Sequence, residues 1–292
     1  MKCSIIIRTY NEEQYLGKVL DTIQNQSFTG EVEVIIVDSG STDNTLRIIE
    51  NFECKIVHIR KEDFSFGRSL NYGCDAATGD LLVFISAHCI PTDKFWLAEL
   101  VRPFNNKNIV LSYGCQIGIE TSKFSEKQLL KKYFPFVDSI PQEGFFCNNA
   151  NSCIRKDKWL IRKFDEELTG LEDMDWAKYW FLQGYEVAYA SKAKVYHIHN
   201  ESWQQVQRRY EREAFALQAI MPEVQVSAFD MMRYIIIAVY LDSKAAFVEG
   251  QFLKYFKQIC YFRFNQYVGT YRGNHLHRQL SKERKEHYFY PN

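Results

Sequence analysis

The sequence predicts an α/β fold: a mixed, mainly parallel sheet flanked by helices, followed by a C-terminal helical extension. Through the first hundred residues, short β-branched runs alternate with stretches of helical spacing, joined by short connections. Such alternation builds βαβ units and parallel strands. After Pro222 the chain turns aromatic, basic and helix-like, which predicts the extension.

The elements follow in order. Cys3–Ile7 reads as the first strand. Glu13–Gln26 reads as the first helix, with Leu16, Val19, Leu20 and Ile23 at helical spacing. Val32–Val37 is a strand, Thr42–Phe52 a helix, Lys55–Ile59 a strand, and Ser69–Ala77 a helix closed by Gly79. Leu81–Ile85 is the fourth strand. The pattern then loosens: a strand at Ile109–Gly114, a loop-rich stretch over Pro135–Asn151, and a helix around Leu171–Leu182. A strand at Glu186–Tyr189 and a long helix at Gln204–Ala219 follow. In parallel sheets of this kind ligands collect at the carboxyl ends of the strands. The residues just after each strand therefore carry the functional reading.

Bulk properties narrow the class. The 292 residues are 46% apolar and 25% charged, enough for a sizeable core and far from a disordered composition. Thirty-six basic residues balance 36 acidic ones, which gives no global field toward nucleic acid. The balance is uneven: from Gln251 to Asn292 eight Lys/Arg face two Glu, a net of +6. The eight cysteines are scattered and form no CxxC pair, so free thiols in a reducing compartment are expected. Met1-Lys2-Cys3 leads straight into a strand-like run, so no signal peptide is expected. The apolar run Tyr234–Leu241 is far short of the roughly 20 residues that span a bilayer. The expected location is the cytoplasm, with the tail a surface for the inner face of the plasma membrane.

The strand ends are polar. The first ends in RTYNEEQYL and the second in VDSGSTDNT. Asp38 ends its strand as an acceptor for a base N–H or a ribose hydroxyl. Gly40 permits a tight turn, and Ser41, Thr42 or Asp43 can cap the next helix. The plainer reading of Asp38 is a cap with no ligand. The fourth strand ends in Ser86-Ala87-His88, and VYHIHNESW carries His197 and His199 two apart. Alternate residues share a face at a strand end, so both histidines are expected to point the same way.

SIIIRTYNEEQYL, VIIVDSGSTDNT and GRSLNYGCDAATGDLLVFISAHCIP, in this order and spacing, resemble the nucleotide-binding half of an inverting family 2 glycosyltransferase with the GT-A fold. The resemblance covers about residues 3 to 210. It implies a glycosyltransferase domain over 1–222, with a nucleotide half about 1–110 and an acceptor half about 111–222, and an extension over 223–292. It implies that Thr9, Tyr10, Asn11 and Glu12 line the nucleotide, with Ser86 beside them. Asp38 would read the base, and Arg68 would lie near base or diphosphate.

Most of that family ends the fourth strand in Asp-x-Asp, whose last Asp binds a divalent metal. Here His88 stands at that place. Imidazole suits Mn, Zn or Fe better than Mg, so Mn2+ is expected over Mg2+, and the metal is expected to be dispensable if His88 binds phosphate itself. Three readings stand for His88: a transition-type metal, the diphosphate directly, or the loop alone. A late histidine completes the metal site in many GT-A enzymes, which implies His197 first and His199 second.

The acidic run LTGLEDMDW resembles the family's Glu-Asp motif at the acceptor site. An inverting transfer needs a base to take the acceptor's proton. The resemblance implies Asp173 as base with Glu172 beside it, and Asp175 among sugar or acceptor contacts. Carboxylates in a first helical turn also favour the helix dipole, with no catalytic role. Asn149 and Asn151 are expected to meet sugar hydroxyls, as the family's loop does. Arg208 and Arg212 share a helix face and suit a diphosphate; solvated pairing with Glu211 and Glu213 is the plainer reading. In the tail, Phe252, Tyr255, Phe256, Ile259 and Phe262 are spaced for one helical face beside Lys254 and Lys257. That face either lies on an anionic membrane or packs back on the domain.

The function implied is transfer of a sugar from a nucleoside-diphosphate sugar to a glycan or lipid-linked acceptor in bacterial surface polysaccharide synthesis. A non-catalytic nucleotide-sugar or glycan-binding protein is the rival that loss of Asp-x-Asp favours and the Glu172-Asp173 pair opposes. A nucleotidyltransferase would want a Gly- and Lys-rich loop after the first strand, which RTYNEEQYL lacks.

Overall fold

The computed structural model describes residues 1–276 and 288–289. The elements run β1 (Lys2–Thr9), α1 (Leu16–Gln24), β2 (Glu31–Asp38), α2 (Thr45–Ile49), β3 (Lys55–His58), α3 (Phe66–Ala76), β4 (Leu81–Ile85), β5 (Cys89–Pro91) and α4 (Trp96–Val101). They continue with β6 (Ile109–Ile117), α5 (Phe124–Tyr133), β7 (Asn151–Arg155), α6 (Lys156–Ile161), α7 (Glu172–Leu182) and β8 (Glu186–His197). Helices α8 (Trp203–Ile220), α9 (Ala228–Val248) and α10 (Phe252–Asn274) follow. The chain divides into two compact units. The first holds Met1–Ile117, Phe134–Glu167 and Glu172–Ile198. The second holds Gly118–Tyr133, Leu168–Leu171 and His199–Asn292.

The first unit carries one eight-stranded sheet in the order β3-β2-β1-β4-β7-β6-β8-β5. Strands β3, β2, β1 and β4 are mutually parallel, as the βαβ reading predicts. β7 enters antiparallel to both β4 and β6, and β5 closes the far edge antiparallel to β8. Ile5, Ile6, Ile7, Ile35 and Phe84 are buried in the sheet, with Trp96, Trp159 and Trp176 buried around it. Each of these indoles has a partner for its N–H: Asn151 Oδ1, Asn71 Oδ1 and the Arg162 carbonyl. Buried Trp requires such partners.

Helix α1 begins three residues later than its spacing suggests. The Glu12 N–H donates to Thr45 Oγ1 and the Glu13 N–H to Asp43 Oδ2, so these residues belong to a loop. Helix α2 is shortened for the reciprocal reason: the Thr42 N–H donates to Asn11 Oδ1. Helix α3 begins earlier than read, because Ser65 caps it by accepting the Arg68 N–H. The strand read at Glu186–Tyr189 extends to His197, paired with β6 through a register shift between Gly114 and Gln116.

The second unit packs α8, α9, α10 and α5. Gly269 and Gly273 lie on α10 where α8 passes closest. A Cβ at Gly273 would sit 2.0 Å from the Glu211 carbonyl oxygen, and one at Gly269 2.3 Å from that of Gln207. Asp242 of α9 and Arg263 of α10 form a buried two-bond ion pair at 2.7 and 2.8 Å. Helix α8 packs with α10 and belongs with the later helices in the second unit. No helix among the described residues is long and apolar enough to cross a membrane. Arg278, Lys282, Arg284 and Lys285, which contribute to the basic tail, lie outside the described residues.

Candidate active site

The loops after β1 and β2 are stitched together. Asn11, at φ 56°, takes a left-handed conformation that Asn tolerates. Its N–H donates to Ser41 Oγ at 2.9 Å. Glu13 Oε2 accepts the N–H and the side-chain amide of Asn44. Thr9, 3% exposed, donates its hydroxyl to Asp38. Tyr10 lies under the Lys61 ammonium, 5.4 Å from the ring centre.

Asp38 is 1% exposed and is turned into its own loop rather than outward. Its Oδ2 accepts the N–H groups of Gly40 and Ser41, and its Oδ1 accepts the Ser41 and Thr9 hydroxyls. Gly40 needs its positive φ of 90° for this turn. The Arg68 guanidinium is paired with Glu166 at 2.7 Å and donates to the Asp63 carbonyl, which fixes it against the segment before α7.

His88 and His197 come together at the far strand ends. Cys89 pairs with His197 across the β5–β8 ladder, and the Ile198 N–H donates to the His88 carbonyl. The two rings stack with centres 5.3 Å apart and planes 21° apart. Their ligand-type nitrogens lie within 4.8 Å of one another. His88 Nδ1 is 3.0 Å from Glu12 Oε1, and His197 Nδ1 is 2.6 Å from Gln116 Oε1. The Ser86 N–H donates to the Ala150 carbonyl and its own carbonyl accepts the Cys89 N–H, which shapes the turn that presents His88.

A bonded chain runs on from His197. Gln116 Nε2 donates to Asn148 Oδ1, which also accepts the Ala150 N–H. The next residue, Asn149, donates its backbone N–H to Asp173 Oδ2 at 2.6 Å. Asp173 Oδ1 accepts the Met174 N–H. Asp173 is buried at the start of α7, next to buried Glu172. Burial, and then the Glu172 charge, push the Asp173 carboxyl up to about 7, against the pull of the two N–H groups and Arg8. Arg8, at the end of β1, lies 3.6 Å from Glu172 and donates to the Phe66 carbonyl. Burial lowers its guanidinium, and the neighbouring Glu172 and Asp173 offset this. Leu171, just before α7, has φ 58°, a strained value for a bulky residue.

Asn149 is buried, its Oδ1 accepting the Ser152 hydroxyl, while its Nδ2 has no partner among the described residues. Asn151 is fully buried, and its amide donates to the Cys115 and Ala193 carbonyls while accepting from Trp96. It fills the gap that the β6–β8 register shift leaves in the ladder and holds the sheet there. Asp175 pairs with Arg162 at 2.6 Å.

The remaining residues lie in the second unit. His199 follows the end of β8, so strand alternation no longer governs it. Its Nδ1 is 2.7 Å from Glu126, and Glu126, His199 and Glu201 offer ligand atoms within 4.8 Å of one another. Arg209 pairs with both carboxylates, so this cluster is an ion-pair network. Burial would raise Glu201, but Arg209, His199 and Lys123 draw it down to about 2. Arg208 and Arg212 lie on α8, and the Arg212 carbonyl accepts the Thr169 hydroxyl. Arg8, Gln116 and Asn148 were not singled out from sequence.

The chain matches the family described as Glycosyl transferase family 2 over residues 4–169. It is 26% identical over 223 residues to the O-antigen chain rhamnosyltransferase RfbN of Salmonella typhimurium, covering 72% of this chain and 70% of that one. It is 28% identical over 189 residues to the O-antigen chain rhamnosyltransferase WbaN of Salmonella anatum, covering 61% of this chain and 60% of that one. Among solved structures it is similar to the mannosyltransferase PcManGT from Pyrobaculum calidifontis in complex with GDP-Man and Mn2+. The TM-score is 0.66 at 14% identity, over 91% of this chain and 85% of that one. It is also similar to S. aureus TarS 1-349, at a TM-score of 0.54 and 18% identity, over 93% and 91% of the two chains. At these identities the structural likeness speaks for the GT-A fold alone. The sequence match spans more than half of the chain, and on that ground the chain belongs to glycosyl transferase family 2.

Proposed function

We propose that this glycosyltransferase moves a sugar, with inversion, from a nucleoside-diphosphate sugar to a hydroxyl of a glycan or lipid-linked acceptor in bacterial surface polysaccharide synthesis. The observation that carries the reading is Asp173, a buried carboxyl pushed up to about 7 and oriented by two backbone N–H groups. A general base works best near the operating pH. Asp173 takes the proton of the acceptor hydroxyl as that oxygen bonds to the anomeric carbon. On the opposite face the bond from that carbon to the diphosphate oxygen breaks, and the electron pair leaves with the nucleotide. Asn149 Nδ2 is the proposed donor to a substrate oxygen. Tyr10 and the Asp38 loop are the proposed nucleotide contacts.

His88 and His197 are the proposed holders of a divalent cation. Two imidazoles in the donor set fit Mn2+ or a similar transition-type cation better than Mg2+. Such a cation, when bound, neutralises the leaving diphosphate. The two relatives named as O-antigen chain rhamnosyltransferases support a rhamnosyl donor.

A lipid surface is the proposed partner of the second unit. Helix α9 exposes Phe229, Met232, Ile236, Tyr240 and Phe247, and Leu253 opens α10 93% exposed. Arg233, Lys244, Lys254 and Lys257 are exposed among them. Apolar side chains set among cations suit an anionic bilayer surface.

The test is thermal shift of the purified full chain against UDP, GDP, CDP and dTDP, each with Mn2+, Mg2+ or EDTA. A ligand at a hundred times its dissociation constant stabilises by about 2.7 kcal/mol. Stabilisation by one nucleotide that needs Mn2+ is expected. No shift with any of the four would favour a glycan-binding protein instead.

A further inference from the structure

We infer that Glu12 and Gln116 are positioning residues that make His88 and His197 one two-imidazole cation centre, with Glu12 supplying the negative charge that Ser86-Ala87-His88 lacks. The inference rests on the proposed cation role of the two histidines and adds what orients them.

Each Nδ1 faces an oxygen that can only accept: a carboxylate for His88 at 3.0 Å, an amide carbonyl for His197 at 2.6 Å. Each neutral ring therefore carries its proton on Nδ1 and its lone pair on Nε2. The amide of Gln116 is not able to flip without loss, because its Nε2 donates to Asn148 Oδ1, itself anchored by the Ala150 N–H. The His197 tautomer is thus tied to backbone. The near-parallel stack sets the two rings face to face, with a ligand-type nitrogen of each within 4.8 Å of the other's.

The two partners differ in charge. Glu12 brings a carboxylate to His88 and Gln116 an uncharged amide to His197, so these two imidazoles come with one acidic partner. A carboxylate behind an imidazole makes Nε2 a stronger donor to a cation. It also returns part of the charge that two aspartates would bring. Glu12 reaches His88 because β1 and β4 are adjacent and parallel, and their ends open on the same edge of the sheet.

The test is Co2+ titration of the purified full chain, followed by visible absorption, with Mn2+ competition and melting curves on every variant. Glu12→Gln keeps an acceptor for His88 but removes the charge. It is expected to weaken cation binding about 10- to 100-fold while keeping the parent absorption band. Gln116→Met removes the acceptor and is expected to weaken binding and change the band. Gln116→Glu keeps the acceptor and is expected to restore the band. Folded Glu12→Gln and Gln116→Met proteins that bind Co2+ with parent affinity and band would overturn the positioning roles alone. Parent-like binding by His88→Ala, or no cation binding by the parent with or without nucleotide, would overturn the centre itself.

Discussion

The backbone N–H of Asn149 donates to Oδ2 of Asp173 at 2.6 Å, across 24 residues of chain. This bond, with the Met174 N–H on the other oxygen, fixes the direction of a carboxylate that burial has made a weak acid. The group is useful as a base only once it has lost its proton. The expected profile of kcat/KM therefore falls about tenfold per pH unit below pH about 7 and is flat above it. Asp173→Asn should lower kcat by about 10²- to 10⁴-fold with nucleotide affinity unchanged. A variant with parent turnover, measured by release of nucleoside diphosphate, would remove Asp173 from the mechanism.

Arg8 restrains how far that carboxyl rises. Its positive charge favours ionised Asp173, and it stands 3.6 Å from Glu172. Arg8→Met removes the charge, so the acid limb of the rate profile should move to higher pH. At pH 7 the variant should be slow, and at pH 9 it should recover toward the parent plateau. An unmoved limb would mean that Arg8 acts only through packing on Phe66, over which it lies at 5.0 Å.

A second prediction on pH concerns stability at the opposite edge of the sheet. Glu33 of β2 accepts the Ser4 hydroxyl and both the N–H and hydroxyl of Thr78 on one oxygen. Burial would raise its carboxyl, but these bonds outweigh it and hold the group down at about 2. A depressed carboxyl stabilises the fold above the unfolded value near 4.5, and the gain is lost as pH falls toward 2. Glu33→Gln should therefore cost about 1–3 kcal/mol at pH 7. The cost should shrink below pH 4.5 and vanish near 2. Melting curves at several pH values measure it, and a pH-independent difference would contradict the account.

The parallel half of the sheet was legible in the sequence because β-branched runs and helical spacing alternate there without interruption. His88 and Asp173 were singled out by position, one past a strand and one opening a helix. A short amide such as Asn151 looks the same in a sugar site and in a sheet defect. The β6–β8 register shift that it fills is invisible in periodicity. The boundary read at Pro222 marks a composition change; the packing of α8 with the later helices is not written in composition. Gln116 carried no motif. Its role comes from where a strand 81 residues later places His197.

The buried glycines of α10 give a test of the second unit. A Cβ at Gly273 would meet the Glu211 carbonyl at 2.0 Å, against backbone that cannot yield as a side chain can. Gly273→Ala should force α8 and α10 apart and cost about 1–3 kcal/mol, the range for overpacking. Gly250, whose added Cβ meets nothing, has a positive φ of 69° and so tests strain without crowding. A Gly273→Ala protein that melts with the parent would refute the close crossing.

The exposed face of α9 makes the last prediction. Ile236 and Phe247 are 64% and 74% exposed, so replacing them removes almost no internal packing. Ile236→Asp with Phe247→Asp should leave the melting temperature within about a degree or two, since surface changes of this kind stay within about 0.5 kcal/mol each. The same variant should lose co-sedimentation with vesicles containing anionic lipid, because it loses apolar insertion and gains repulsion from the headgroups. Binding of the parent should weaken as salt rises, through screening of Arg233, Lys244, Lys254 and Lys257. A parent that ignores anionic vesicles yet sediments as a dimer that the variant abolishes would reassign this face to a second copy of the chain.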